Sequence, residues 1–180
     1  MFHKVNVAPK IVAFLLAGSV TLSLLGCGAT AAKANTPKVP FTEASWDSTE
    51  EEIKALEGTE FTTASISSYG GDTCIFPKEY LGISGDVKYM FDDQGRLRSI
   101  AFFYLSTDQD AFQEAYTTVY NQAKADLGDA SDDSLESDFY AGDQWELENG
   151  IAYLILAQQD DEIAFQYTYI LNLPEEEAAK

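Results

Sequence analysis

The 180-residue chain sets 30 acidic residues against 11 basic ones, a formal net charge of −19, in a composition that is 46% hydrophobic. A chain this acidic is repelled by phosphate backbones and anionic headgroups, which excludes sequence-independent nucleic-acid binding. With one histidine, His3, and two cysteines, Cys27 and Cys74, it has little material for histidine catalysis or a disulfide framework.

In chain order, His3, Lys4 and Lys10 make a basic start, and no acidic residue precedes Glu43. Residues 11–25 are uncharged and apolar, yet too few to span a hydrocarbon core about 30 Å thick at about 1.5 Å per residue. The pattern reads as a signal peptide over residues 1–26. Leu24-Leu25-Gly26-Cys27 closes it and resembles the lipobox of bacterial lipoproteins. That resemblance implies cleavage after Gly26 and a diacylglyceryl group on the Cys27 thiol, two acyl chains being sufficient for stable anchoring. The expected location is the extracytoplasmic face of a bacterial cell membrane, held through the lipid on Cys27. Removing residues 1–26 takes away His3, Lys4 and Lys10, so the remainder has no histidine and a charge two units more negative than −19. Ser-His-Asp and Cys-His catalysis and histidine metal sites are then excluded. Cys74 keeps no intrachain partner, and its apolar neighbours Ile75 and Phe76 suggest a buried, inert thiol.

Residues 28–42 are small, carry Pro37 and Pro40 and lack periodicity, so 27–45 reads as a flexible tether holding the domain about 20 Å from the membrane. The domain is expected over 46–173, with 174–180 as an acidic tail. Ser48 and Glu51 form a capping box ahead of Ile53 and Leu56, and Gly58 ends a short helix. A strand is expected over 61–67, then a turn at Tyr69-Gly70-Gly71-Asp72 leading into Cys74-Ile75-Phe76, with 77–85 as loop. Val87, Tyr89 and Phe91 alternate with Asp86, Lys88 and Met90, the period of a half-buried strand. Asp92-Asp93-Gln94-Gly95 turns the chain and 96–105 returns antiparallel. Alternation puts Leu97, Ala101, Phe103 and Leu105 on one face, and Arg96, Arg98, Ile100, Phe102 and Tyr104 on the other. Thr107 or Asp108 caps a longer helix whose Phe112, Ala115, Tyr116, Val119, Tyr120, Ala123 and Leu127 recur at helical spacing until Gly128. An acidic loop over 129–138 precedes three strands, at 139–147, 150–158 and Glu162–Leu171. In the last, Ile163, Phe165, Tyr167, Tyr169 and Leu171 point to the core.

This order predicts an α+β fold, an antiparallel sheet built from two helix-plus-β-meander units with the helices packed on one face. The other face is left for water or a partner. Trp46-Asp-Ser-Thr-Glu-Glu-Glu-Ile, Glu57-Gly58 and Val87-Lys-Tyr-Met-Phe-Asp-Asp-Gln-Gly-Arg-Leu resemble lipoproteins with the β-lactamase-inhibitory-protein-like fold. That group includes the small outer-membrane assembly lipoprotein of the SmpA/OmlA type. Glu114-Ala-Tyr, Leu127-Gly128, Trp145 and Ile151-Ala-Tyr-Leu fit a second copy of the unit. The resemblance implies a concave sheet that binds protein through its open face, and it carries over no catalytic residue. The inhibitor's disulfides are missing, so inhibition of a lactamase or protease is not implied.

Lys88, Met90, Arg96, Arg98, Ile100, Phe102 and Tyr104 are the candidate partner-binding residues, a basic-aromatic patch in an acidic chain; Arg and aromatic side chains dominate interface hot spots. The competing reading pairs these charges with neighbouring carboxylates and buries the aromatics. Asp129, Asp132, Asp133, Glu136 and Asp138 crowd one loop, but Ser134 and Tyr140 stand where a calcium loop needs Gly and Glu, so no metal is expected. Glu146 and Glu148 are the carboxylate pair a hydrolase would need, and with so many acidic residues chance explains them. Tyr116, Tyr120, Tyr153, Tyr167 and Tyr169 read as core packing. No cofactor, no catalytic residue and no nucleic-acid partner are expected. The favoured function is a noncatalytic module binding a protein or peptide. A scaffolding envelope component without a discrete ligand is the alternative, and a carboxylate-dependent cell-wall hydrolase a third. Oligomeric state is not readable.

Overall fold

The structure, a computed structural model, describes residues 36–64, 67–136, 140–159 and 161–172. Leu24, Leu25, Gly26 and Cys27 of the lipobox, and the tail 174–180, lie outside these. The chain runs α1 (Glu50–Glu57), β1 (Thr62–Ala64), β2 (Gly70–Tyr80), β3 (Ile83–Asp92), β4 (Leu97–Ser106), α2 (Gln109–Leu127), β5 (Asp132–Glu136), β6 (Tyr140–Leu147), β7 (Gly150–Gln159) and β8 (Glu162–Leu171). The strands form one antiparallel eight-stranded sheet in the order β1-β2-β3-β4-β8-β7-β6-β5, an α+β fold.

Local chemistry accounts for the elements. In α1 the capping box is Thr49 with Glu52, one residue beyond the expected pair. The Ser48 hydroxyl is taken by the Ser45 N–H at 3.0 Å, which leaves Thr49 as the first free cap. Asp108 caps α2 through the N–H groups of Asp110 and Ala111. Gly58 and Gly128, both at positive φ, end the two helices by donating to Lys54 O and Lys124 O.

Cross-strand register separates the two faces of the sheet. Phe76, Val87, Phe102, Tyr167 and Leu154 lie in one continuous row. They join Ile53 of α1 and Phe112, Ala115, Val119 and Ala123 of α2 in a single core. Phe112 and Tyr116 set their rings 5.8 and 6.1 Å from that of Phe165 on β8. The Trp145 indole reaches back to Gly128 O at 3.0 Å, tying β6 to the end of α2.

Four expectations are corrected. Residues 77–85 are not a loop: β2 runs through Pro77, which pairs with Asp86. Proline is tolerated because β1 covers only Thr73–Ile75, so β2 has an open edge from Phe76 onward where a missing N–H costs nothing. The acidic stretch 129–138 contains strand β5, paired to β6 at the sheet edge. Tyr153 is not a core residue: it pairs with Thr168, whose side chain points away from that of Tyr167. The tether expected over 27–45 does not extend past Pro37. Val39 and Phe41 are buried, and the Phe41 ring lies within about 6 Å of Tyr80, Phe102, Tyr167 and Tyr169. Pro37 O accepts from the Trp46 indole at 2.7 Å. The segment from Pro37 to Thr42 is thus a strap across the core face.

Candidate functional site

The face of the sheet turned away from the core is the candidate site. Three register rows build it. Thr73, Met90, Ser99, Ile170 and Ile151 form the first. Ile75, Lys88, Ala101, Thr168, Tyr153 and Gln144 form the second. Pro77, Asp86, Phe103, Gln166 and Ile155 form the third. On the two central strands Ser99 and Ala101 of β4 and Thr168 of β8 are small and buried, whereas Phe103 of β4 and Ile170 and Gln166 of β8 are larger and partly buried. Larger ones stand on both flanks, Met90 and Lys88 on β3 and Ile151 and Tyr153 on β7. The small ones form a shallow trough whose floor is itself buried, bordered by the partly buried Met90, Lys88, Ile151, Tyr153 and Ile170.

This geometry splits the expected patch. Lys88, Met90 and Arg98 lie on the outer face. Ile100 and Phe102 are fully buried in the core, and Tyr104 stacks 6.4 Å from Phe112 of α2. The cause is a β-bulge: Met90 pairs with Ser99 while Phe91 pairs with Leu97, so Arg98 is the extra residue. A bulge presses two successive side chains toward one side, here Arg98 and Ser99, and reverses the parity of everything after it. Leu97 and Ile100, both buried yet three apart, are the sequence trace of that slip. Arg96 belongs to the hairpin turn, its Nε 2.8 Å from Asp92 Oδ2.

Electrostatics at the trough are local. Lys88 Nζ sits 3.6 Å from the centre of the Phe103 ring, and burial pulls its pKa below the usual lysine value, with Asp86 acting against. The Arg98 guanidinium lies 5.3 Å from the Tyr69 ring and 3.6 Å from Asp92. Burial raises the Tyr69 phenol, with Arg98 and Ser99 acting against it. Arg98 Nε and Ser99 Oγ are closed off from solvent beneath the Tyr69 side chain, whose hydroxyl lies against Ser99. Tyr69, Ser99, Phe103 and Tyr153 were not among the expected site residues; their membership depends on the bulge and on a turn folding over the sheet.

Elsewhere the chemistry is structural. Glu57, its side chain 4% exposed, accepts from Lys78 Nζ at 2.7 Å, from Thr42 Oγ1 at 3.0 Å and from the Tyr89 hydroxyl. That knot joins the strap, α1, β2 and β3. Burial and a hydrogen bond to Glu50 push the Cys74 thiol up to about 12, an unreactive state. A groove of about 550 Å3 opens between the strap and the end of α2, bordered by Lys38, Val39, Asp126, Leu127, Glu148 and Tyr169.

Among the described residues no three His, Cys, Asp or Glu side chains are grouped to hold a metal ion. Asp129 pairs with Lys124 at 2.8 Å. Glu146 is on β6 whereas Glu148 lies in the turn before β7, so they do not form the pair expected of one strand face. No described helix is long and apolar enough to cross a membrane. Comparison with protein-family models, curated proteins and solved structures returns no match to this chain.

Proposed function

We propose that this chain is a lipid-anchored extracytoplasmic protein of a bacterial envelope, a noncatalytic module that binds a protein or peptide in the outer trough of its sheet. The lipobox-like Leu24-Leu25-Gly26-Cys27 supports the anchoring. The observation that carries the binding is the trough itself. Buried small side chains floor it, and the partly buried Met90, Ile151, Ile170 and Tyr153 offer apolar and aromatic surface around them.

The fold is read as two units, each a helix followed by four strands, with both helices on the core side. Two features support this. The strand order is symmetric about the β4–β8 pair. Both helices end at a positive-φ glycine after a lysine whose carbonyl accepts the cap N–H.

Capture from solubilised membranes tests the binding, using the full chain alongside Met90→Glu and Tyr153→Ser. Both residues are partly buried on the outer face, so melting temperatures are read alongside and only a loss of capture by a variant that melts within about 3 °C of the parent counts for the reading. The expected result is one stoichiometric partner with the parent chain and at least tenfold less with either variant. Undiminished capture by both variants, or recovery of nothing but the chain itself, defeats the reading; the second outcome is what a scaffold would give.

A further inference from the structure

In a chain this acidic, most basic side chains find a carboxylate. Among the described residues, Lys54, Lys78, Arg96, Arg98 and Lys124 each lie within 4.0 Å of one. Lys38 does not, but it is exposed to water. Lys88 is the exception: it is partly buried on the outer face of β3, and no described carboxylate comes that close. Its amine lies 3.6 Å from the centre of the Phe103 ring. Ile75 stands directly opposite on β2, with Pro77 diagonal to it and Met90 two residues along β3. Pro77 is exposed, and Ile75, Met90 and Phe103 are partly so, which leaves an apolar collar around one amine. Asp86, two residues back, acts on that amine only from a distance.

An ammonium group drawn partly out of water without a counter-charge costs free energy that one aromatic ring returns only in part. Burial lowers the pKa of Lys88, which reflects that cost. A lysine stem lies along apolar surface while its amine stays toward water, so Lys88 presents its charge on the outer face. Taking that face as the binding face, on which this rests, we infer that Lys88 anchors one carboxylate of the bound protein: an Asp or Glu side chain in a segment whose neighbouring side chains are apolar and rest on Ile75, Pro77, Met90 and Phe103. A compact ammonium with rotatable donors suits a single carboxylate in this way. A strongly acidic segment is a poor occupant, because the chain as a whole repels it. A dianionic phosphate is a poor one too, since it would meet one amine with Asp86 on the same face.

The test titrates the full chain, solubilised in detergent, with the acetylated and amidated tripeptide Leu-Glu-Leu, with its Leu-Gln-Leu counterpart and with sodium acetate. Isotope-labelled methyl groups on methionine, and on lysine amines dimethylated without loss of charge, supply the NMR signals; the Lys88 signal is the one missing from Lys88→Met. Leu-Glu-Leu is expected to shift the Lys88 and Met90 signals together and to bind about fivefold more tightly than Leu-Gln-Leu or acetate. Lys88→Met, which keeps the stem and removes the charge, should melt at or above the parent temperature and no longer separate the two peptides. No shift with any probe, equal binding of the two peptides, a response to acetate as strong as that to Leu-Glu-Leu, or a preference for Glu that survives in Lys88→Met overturns the inference. Lys88→Met also enters the membrane capture beside Met90→Glu and Tyr153→Ser. Capture lost by those two but kept by Lys88→Met overturns this inference alone, whereas capture kept by all of them overturns the outer-face reading beneath it.

Discussion

Asp92 organises the β3–β4 turn almost alone. Its Oδ1 accepts from the Gln94 and Arg96 N–H groups at 3.0 and 2.9 Å, and its Oδ2 faces the guanidinium groups of Arg96 and Arg98. Burial by itself would raise its pKa; the Arg96 N–H and guanidinium and the Gln94 N–H outweigh that and hold it below the usual 3.8. A carboxyl depressed on folding stabilises the native state above its unfolded pKa and loses that contribution as pH falls through the folded value. Wild-type protein should therefore lose stability below about pH 4, and Asp92→Asn should be less stable at pH 6 but fall less between pH 4 and pH 2.5. Denaturant melts at these pH values check it; parallel pH curves for the two proteins would show that Asp92 is not the titrating group. The charged hydrogen bonds at stake make a loss of about 2 kcal/mol at pH 6 reasonable. At the same scale, Phe102, expected among the partner-binding residues, cannot probe binding. It is fully buried, so its truncation reports on the core.

The β2–β3 connection is a two-residue turn in which Leu81 and Gly82 both have positive φ, 54° and 79°. That conformation matches the twist of a hairpin and favours Asn-Gly, whereas an exposed leucine in the left-handed region costs roughly 1–2 kcal/mol. Leu81→Asn should stabilise the domain by about 1 kcal/mol, raising Tm by roughly 2–4 °C in a thermal melt. An unchanged or lower Tm would mean that Leu81 makes a contact worth the strain. The sheet edges also show why elements were misjudged from sequence. Pro77 breaks a strand pattern unless its edge is known to be free, and that depends on β1 being three residues long. The acidic run around β5 looked like loop because edge strands carry charge to deter pairing with other chains. Three of the last four strands, with clear two-residue alternation and Asn-Gly before β7, were legible to within a residue or two.

In the molecule as a whole, the strap makes the N-terminal stretch part of the fold. Phe41 is ringed by four aromatic side chains from β2, β4 and β8, and Thr42 closes the Glu57 knot. Phe41→Ala should cost about 3–5 kcal/mol by leaving an aromatic-sized void, a drop in Tm of roughly 10 °C. A melt within 2 °C of wild type would show that the strap rests on the core without supporting it. Composition had pointed the other way. Small residues and two prolines carry no periodic signal, and a segment without secondary structure buries its apolar side chains only because a gap in the core exists to receive them.

What the amino-acid sequence determined alone is whatever depends on neighbours along the chain. It set the two helices with their glycine stops, the alternation of β3 and β8, the α+β class and the inert setting of Cys74, while the cap of α1 fell one residue from where it was expected. Those follow from hydrogen bonds and periodicities a few residues long. Which side chains share the outer face was decided by tertiary structure, because one extra residue at Arg98 inverts the parity of a strand and its effect appears only when β3, β4 and β8 are paired. The fate of Val39 and Phe41 was decided in the same way: burial is a property of the space the rest of the chain leaves open.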